Sequence, residues 1–321
     1  MTATLCEDVG SPQERSVDRF DVSLIIPAYN RAELLPRSLK SALTQETALT
    51  YEIIVVDDGS TDNTLAVLNS FSDSRVRVLR QANAGTSVAR AVGVAAALGS
   101  RVCFLDSDDV AAPNYIQDLW DSLESCPAAV LAFGRVGVLQ STQSWDQVLP
   151  ERDDRGFVED PLRELLLKGC FTVSMNLMAR RDVALAAAND PAAYRAANDY
   201  NFCLRAALQG PFVFASTETM LIDRKEDGIS AQIGHLQVAF ATIAAVRAAK
   251  ASGRKDDAMR KALRERVSTL WPSAFAQCLF KREFLVAMRV LGCGFRWGQL
   301  RDLKTVYWTL DHEARLARSA R

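Results

Sequence analysis

Two apolar runs in this chain end abruptly in carboxylates, and that pattern constrains the fold more than any other feature. Val102-Cys103-Phe104-Leu105 leads straight into Asp106-Ser107-Asp108-Asp109, and Tyr51-Glu52-Ile53-Ile54-Val55-Val56 leads into Asp57-Asp58-Gly59-Ser60. The four β-branched residues from Ile53 to Val56 are the composition of a strand covered on both faces, as in a parallel sheet. An earlier run, Val22-Ser23-Leu24-Ile25-Ile26, stops at Pro27-Ala28-Tyr29-Asn30, after which Leu34, Leu35, Leu39 and Leu43 recur at helical spacing. Strand, helix, strand, helix in succession implies right-handed crossovers and a doubly wound sheet. Gly59 permits a tight turn, and Ser60 is expected to cap a helix opening through Thr61 to Leu65.

Ligands of such sheets bind beyond the carboxyl ends of the strands, where Tyr29, Asp57, Asp58, Asp106 and Asp108 should all lie. Carboxylates this close repel one another unless a cation neutralises them. Hard divalent ions take oxygen ligands, and Mg²⁺ commonly uses one or two carboxylates together with substrate phosphates. Taken singly, each acidic stretch also reads as a solvated loop after a strand. Their convergence on one sheet edge favours a site.

Four blocks then acquire a joint meaning. Ile25-Ile26-Pro27-Ala28-Tyr29-Asn30-Arg31, Val55-Val56-Asp57-Asp58-Gly59-Ser60-Thr61-Asp62, Asn83-Ala84-Gly85-Thr86-Ser87-Val88-Ala89-Arg90 and Phe104-Leu105-Asp106-Ser107-Asp108-Asp109 resemble the family 2 glycosyltransferases in order and spacing. The resemblance implies a GT-A fold: an α/β domain with a doubly wound mixed sheet flanked by helices, binding a sugar nucleotide and Mn²⁺ or Mg²⁺. By the same resemblance Pro27, Ala28 and Tyr29 line the base and ribose pocket, and Asp57 and Asp58 contact the base. Arg90 lies near the base or the phosphates, and Asp106 and Asp108 form the D-x-D element. Asp106 faces the ribose, and Asp108 holds the metal that bridges the diphosphate. Plainer readings stay open for two of them: Arg90 as an ordinary helix salt-bridge partner, Tyr29 as packing beside the turn.

Inverting transfer needs a base for the acceptor proton, opposite the leaving group. The resemblance places it at Asp199, in the stretch Asn198-Asp199-Tyr200-Asn201-Phe202. Asn198 stands where the family usually carries Glu, and Gly210 is expected to close the helix as a C′ glycine. A carboxylate that merely favours the helix dipole is the plainer reading of Asp199. Downstream, Arg224 in Arg224-Lys225-Glu226-Asp227-Gly228-Ile229-Ser230 resembles a loop that closes over the diphosphate, with Glu226 in place of the usual histidine.

Composition sets the frame. Residues 1–19 are polar without an apolar h-region and read as a disordered lead. Residues 20–232 form the expected nucleotide-sugar-binding catalytic domain, and 233–321 a basic helical region with 17 Lys and Arg against 7 Asp and Glu. No stretch reaches about 18 consecutive apolar residues, so no membrane span is expected. The seven cysteines are scattered, which points to a reducing, cytoplasmic setting with free thiols. With only His235 and His312 in the chain, a carboxylate is the expected base. A net charge of −1 gives no reason to expect a nucleic-acid partner.

In the tail, Leu236, Ala239, Phe240, Ile243 and Val246 form one helical stripe, and Met259, Leu263, Val267 and Leu270 a second that Pro272 should stop. Phe275 to Leu291 reads as a third helix, and Leu300, Leu303, Tyr307 and Leu310 as a fourth. Packing on the α/β domain is the leading reading; peripheral docking on the anionic inner face of a membrane is the second. The stretch from about 140 to 172 reads as a loop region that shapes the acceptor site.

The expected function is metal-dependent, inverting transfer of a sugar from a nucleotide diphosphate donor, expected to be UDP-linked, to a carbohydrate or lipid-linked hydroxyl in cell-surface polysaccharide or glycan synthesis. One alternative is a binding module of the same fold that has lost turnover. A nucleotidyltransferase ranks lower, because Pro27-Ala28-Tyr29-Asn30-Arg31 replaces the Gly-rich phosphate loop it would need.

Overall fold

The computed structural model describes residues 20–139, 151–154, 156–171, 175–190, 196–222, 234–297 and 306. Its first half alternates as the sequence predicts: β1 (Phe20–Ala28), α1 (Leu35–Leu43), β2 (Tyr51–Asp57), α2 (Thr64–Asn69), β3 (Val76–Arg80), α3 (Thr86–Ala96) and β4 (Gly99–Phe104). β1 pairs in parallel with β2 on one side and β4 on the other, and β3 extends the sheet beyond β2. The strand order therefore reverses between β1 and β4, which makes a crevice at their carboxyl ends.

The second half is mixed. It runs β5 (Val110–Ala111), α4 (Tyr115–Ser125), β6 (Leu131–Val138), β7 (Phe157–Val158), α5 (Pro161–Lys168), β8 (Leu177–Arg180), α6 (Arg181–Ala188), α7 (Asn198–Ala206) and β9 (Phe212–Ile222). β8 lies antiparallel between β4 and β6, and β9 runs parallel to β6, so the sheet order is β3-β2-β1-β4-β8-β6-β9-β5 with β7 on β9. The doubly wound mixed sheet expected from sequence is the one observed.

β2 is buried at every position, and alternation sorts its side chains between two cores. Ile54 and Val56 join Ile25 on one face, while Ile53 and Val55 join Leu24 and Ile26 on the other. Glu52 is buried in the same strand and is tolerated because its carboxylate accepts from the Ser23 hydroxyl, the Leu98 N–H and Arg77.

Three local expectations need correction. Ser60 caps no helix: its Oγ accepts from the Asn30 N–H, and α2 starts only at Thr64, whose N–H the Asp62 carboxylate takes. The stretch from 140 to 172 is not all loop, since it holds β7 and α5, the latter capped by Asp160. Gly210 is not a C′ glycine. α7 already ends at Ala206, and the glycine is needed because a Cβ there would lie 2.7 Å from Val130.

The basic region forms α8 (Gly234–Ala251), α9 (Asp257–Phe280) and α10 (Phe284–Trp297). Leu236, Phe240, Ile243, Met259, Leu263, Val267 and Trp271 share one apolar cluster with Leu165 of α5 and Leu204 of α7, so these helices pack on the sheet domain. Pro272 does not stop α9. Proline loses one backbone bond and crowds the preceding turn, yet Trp271, Ala274, Ala276 and Cys278 are buried on both sides of it and hold the helix together. The break falls instead at Arg282, which adopts φ 63°. α10 turns Ala287 and Val290 inward and leaves Phe284, Leu285 and Met288 exposed. Leu300, Leu303, Tyr307 and Leu310, like the lead at 1–19, lie outside the described residues. Among the described residues six cysteines are free, and no helix is long and apolar enough to cross a membrane.

Candidate active site

The loops after β1 and β2 are locked together by backbone and short side chains. The Asp58 N–H donates to the Ala28 carbonyl (2.8 Å), and Asn30 Oδ1 accepts from the Thr61 N–H (2.8 Å). Asn30 does so from a left-handed conformation, φ 52°, which a short polar side chain tolerates. Asp57 is fully buried; it accepts from the Ser60 N–H (3.0 Å) and pairs with Arg80 (3.2 Å). Asp58 accepts from the Ala84 and Gly85 N–H groups (2.9 and 2.8 Å) and from Gln81 (2.7 Å). This pair fastens the 81–85 loop to the end of β2. Gly59, at φ 75°, must be glycine for a second reason: a Cβ would lie 2.8 Å from the Asn83 nitrogen. Pro27 and Ala28 close β1 beside Val56 and Asp57, and Tyr29 stands 43% exposed at the mouth.

Arg90 ties the two halves of the site together. It projects from α3 with only 9% of its side chain exposed; Nη2 donates to Asp106 at 2.5 Å and Nη1 to Asp199 at 2.7 Å. Burial disfavours its charge, but the two carboxylates outweigh that and hold it firmly protonated. Asp199 responds oppositely. Burial pushes its carboxyl above the usual range, Arg90 pulls it down and Asp106 pushes it up, with a net upward shift. Arg90 is therefore a salt-bridge partner, but one that joins the D-x-D stretch to the carboxylate assigned as base.

α7 is placed by contacts that sequence reasoning missed. Ala197 turns the chain at φ 57° immediately before it. Phe202 meets Phe104 of β4 edge-on at 5.4 Å, and the Tyr200 hydroxyl donates to the Leu165 carbonyl (2.9 Å) while Arg266 of α9 covers its ring at 5.3 Å. Arg205 donates to the carbonyls of Ala186, Ala187 and Asn189 at the end of α6. No spacing rule announces Arg266, which lies in a different helix from Tyr200.

Asp108 lies 38% exposed, 3.7 Å from Arg31. Its loop is pinned from α1, where Arg37 donates to the Asp108 carbonyl (2.6 Å) and the Ser38 hydroxyl to that of Asp109 (2.5 Å). Among the described residues no group of three or more His, Cys, Asp or Glu side chains is arranged to hold a metal. One accessible carboxylate at a crevice suits an ion that takes its remaining ligands from phosphates and water, as Mg²⁺ and Mn²⁺ do. The donor set fits on those terms. Arg224 and Glu226 lie outside the described residues.

Fold and site together define an α/β protein with acidic and basic groups gathered at a topological switch point. The family model "Glycosyl transferase family 2" matches residues 23–185; the chain belongs to this family. It is 37% identical over 111 residues to the succinoglycan biosynthesis protein ExoO of Rhizobium meliloti, covering 34% of this chain and 32% of that protein. It is 42% identical over 102 residues to the validoxylamine A glucosyltransferase of Streptomyces hygroscopicus subsp. jinggangensis, covering 30% of this chain and 24% of that one. These matches span a third or less of either relative. Among solved structures, S. aureus TarS 1-349 in complex with UDP-GlcNAc superimposes with a TM-score of 0.65 at 17% identity, over 85% of this chain and 80% of that one, which shows the shared fold.

Proposed function

We propose that the protein is a metal-dependent, inverting glycosyltransferase that moves a sugar from a UDP-linked donor to a hydroxyl of a carbohydrate or lipid-linked acceptor in cell-surface polysaccharide synthesis. The observation that carries this reading is the Asp106–Arg90–Asp199 bridge, which brings the nucleotide side of the crevice within one guanidinium of a half-buried carboxylate. The glucosyltransferase and polysaccharide relatives support the reaction class, and the UDP-GlcNAc complex of TarS supports the donor class.

In this reading Pro27, Ala28 and Tyr29 border the base and ribose, and Asp57 and Asp58 border the base while holding the loops that shape its pocket. Asp106 faces the ribose, and Arg224 reaches the diphosphate from its loop. A divalent ion, Mn²⁺ or Mg²⁺, held by Asp108 would supply positive charge beside the leaving diphosphate. Asp199 accepts the acceptor hydroxyl proton as the new bond to the anomeric carbon forms on the face opposite the departing diphosphate. Its raised proton affinity suits it to that task. Arg90 keeps Asp199 ionised and oriented. The test is incubation of UDP-sugars with Mn²⁺ and a panel of glycoside acceptors, followed by NMR of the product. An inverted anomer is expected; a retained one would contradict the scheme, and UDP binding with no turnover would make the protein a binding module.

Peripheral membrane contact belongs to the same proposal. Phe284, Leu285 and Met288 form an outward apolar face on a helix that contains no acid, beside exposed Lys281, Arg282 and Arg289, a pairing suited to anionic lipid. The protein should sediment with phosphatidylglycerol vesicles at low salt and be released near 1 M salt, where the Debye length is about 3 Å. Absence of sedimentation at low salt would rule the contact out.

A further inference from the structure

Beside the Asp106–Arg90–Asp199 bridge, α3, α6 and α7 border a small cleft whose lining includes Ser87, Arg90, Met175, Asn198, Asn201 and Phe202. Two polar atoms of its lining residues are buried without a hydrogen-bond partner among the described residues: Nε of Arg90 and Oδ1 of Asn198. Both are costly to leave unmade. Arg90 is nine-tenths buried, and its η-nitrogens are already engaged by Asp106 and Asp199, so Nε–H is fixed in place by two ion pairs. Asn201 is engaged too, since its amide donates to Asp190 (3.0 Å), which also pairs with Arg247 (3.3 Å).

One orphaned donor and one orphaned acceptor lining the same cleft call for a group that accepts and donates at once, and a hydroxyl does both. Met175 and Phe202 offer apolar surface of the kind that sugar C–H groups cover. We propose that the cleft receives one hydroxyl of the sugar at the reaction centre, accepting from Arg90 Nε–H and donating to Asn198 Oδ1, so that Asn198 selects which sugar reacts. The inference rests on the nucleotide-sugar reading above. It gives the residue preceding the base a role of its own: where the resemblance leads one to expect Glu, this chain presents a neutral acceptor, which leaves the Arg90 charge, among the described residues, shared between Asp106 and Asp199.

The hydroxyl can belong to the donor or to the acceptor sugar, and one set of measurements separates them. Calorimetry with Mn²⁺ gives the affinities of UDP, UDP-glucose, UDP-galactose and UDP-GlcNAc for the parent, Asn198→Ala and Asn198→Asp. For a donor subsite, Asn198→Ala leaves UDP affinity within about twofold and weakens the preferred UDP-sugar about tenfold, while Asn198→Asp, which retains an acceptor oxygen, keeps most of it. For an acceptor subsite, all four affinities stay put and the KM for the acceptor glycoside rises about tenfold, with donor hydrolysis unchanged. The proposal is overturned if UDP and its sugars weaken together, which would make Asn198 a support of the nucleotide pocket. It is equally overturned if neither binding nor KM moves, the result expected when only water fills the cleft. A parent protein that binds no UDP would instead sink the nucleotide-sugar reading itself.

Discussion

Replacing Asp199 with asparagine is expected to lower turnover about 10²-fold or more, the usual contribution of a positioned general base, while leaving UDP-sugar affinity unchanged. The amide keeps an oxygen that can accept from Arg90, so the 2.7 Å contact and the start of α7 survive. What is lost is the ability to take a proton, which matters only in the transition state. Single-turnover rates beside equilibrium affinities make the comparison, and an unaltered rate would remove Asp199 from the mechanism. The pH profile gives a second readout. A base must be ionised to act, and burial raises the proton affinity of Asp199, so if it is the base the rate should fall on acidification at a pH above the ordinary carboxylate range. Arg90→Gln removes the main influence pulling that value down and should move the acid limb to higher pH.

Asp108→Asn is expected to abolish transfer and the metal-dependent part of UDP affinity, with the fold intact. The side chain is over a third exposed and its ion pair with Arg31 is long, at 3.7 Å, a class of contact that adds little stability. The loop itself is held by backbone carbonyls that Arg37 and Ser38 bind and that asparagine leaves in place. Titration of UDP with and without Mn²⁺ decides the matter, with a thermal melt as control. If the variant binds as tightly as the parent and responds equally to the metal, the ion is held elsewhere.

The parallel half of the sheet was legible because its signals are local. Ile53 to Val56 can hardly be anything but a doubly covered strand, and an acid placed directly after such a strand must emerge at its carboxyl end. The partnerships of those acids were not legible. Asp57 and Asp58 announce themselves as site residues, yet their carboxylates are taken up by N–H groups of neighbouring loops, by Gln81 and by Arg80. Arg90 sat in a recognised segment, but its two partners lie 16 and 109 residues away, beyond any periodicity argument. Pro272 failed as a stop signal for the opposite reason: the local rule was sound, and burial of Trp271 and Cys278 overrode it. Glu52 shows the same override for charge, since three donors made a buried carboxylate acceptable.

The 109-residue separation of Arg90 from Asp199 also decides how much chain must be made before the bridge can close. A chain synthesised as far as β4 has β1, β2, β3 and α3, and with them the loops that Asp57 and Asp58 fasten. It has no α7, and it has no Arg266 to lie on Tyr200. Contacts of high sequence separation slow folding, because a long loop must close before they reward the chain. The crevice therefore draws on separate stretches of chain: the loops after β1 and β2 are fastened within the first hundred residues, whereas Asp106, Asp199 and the helix that lays Arg266 on Tyr200 come later.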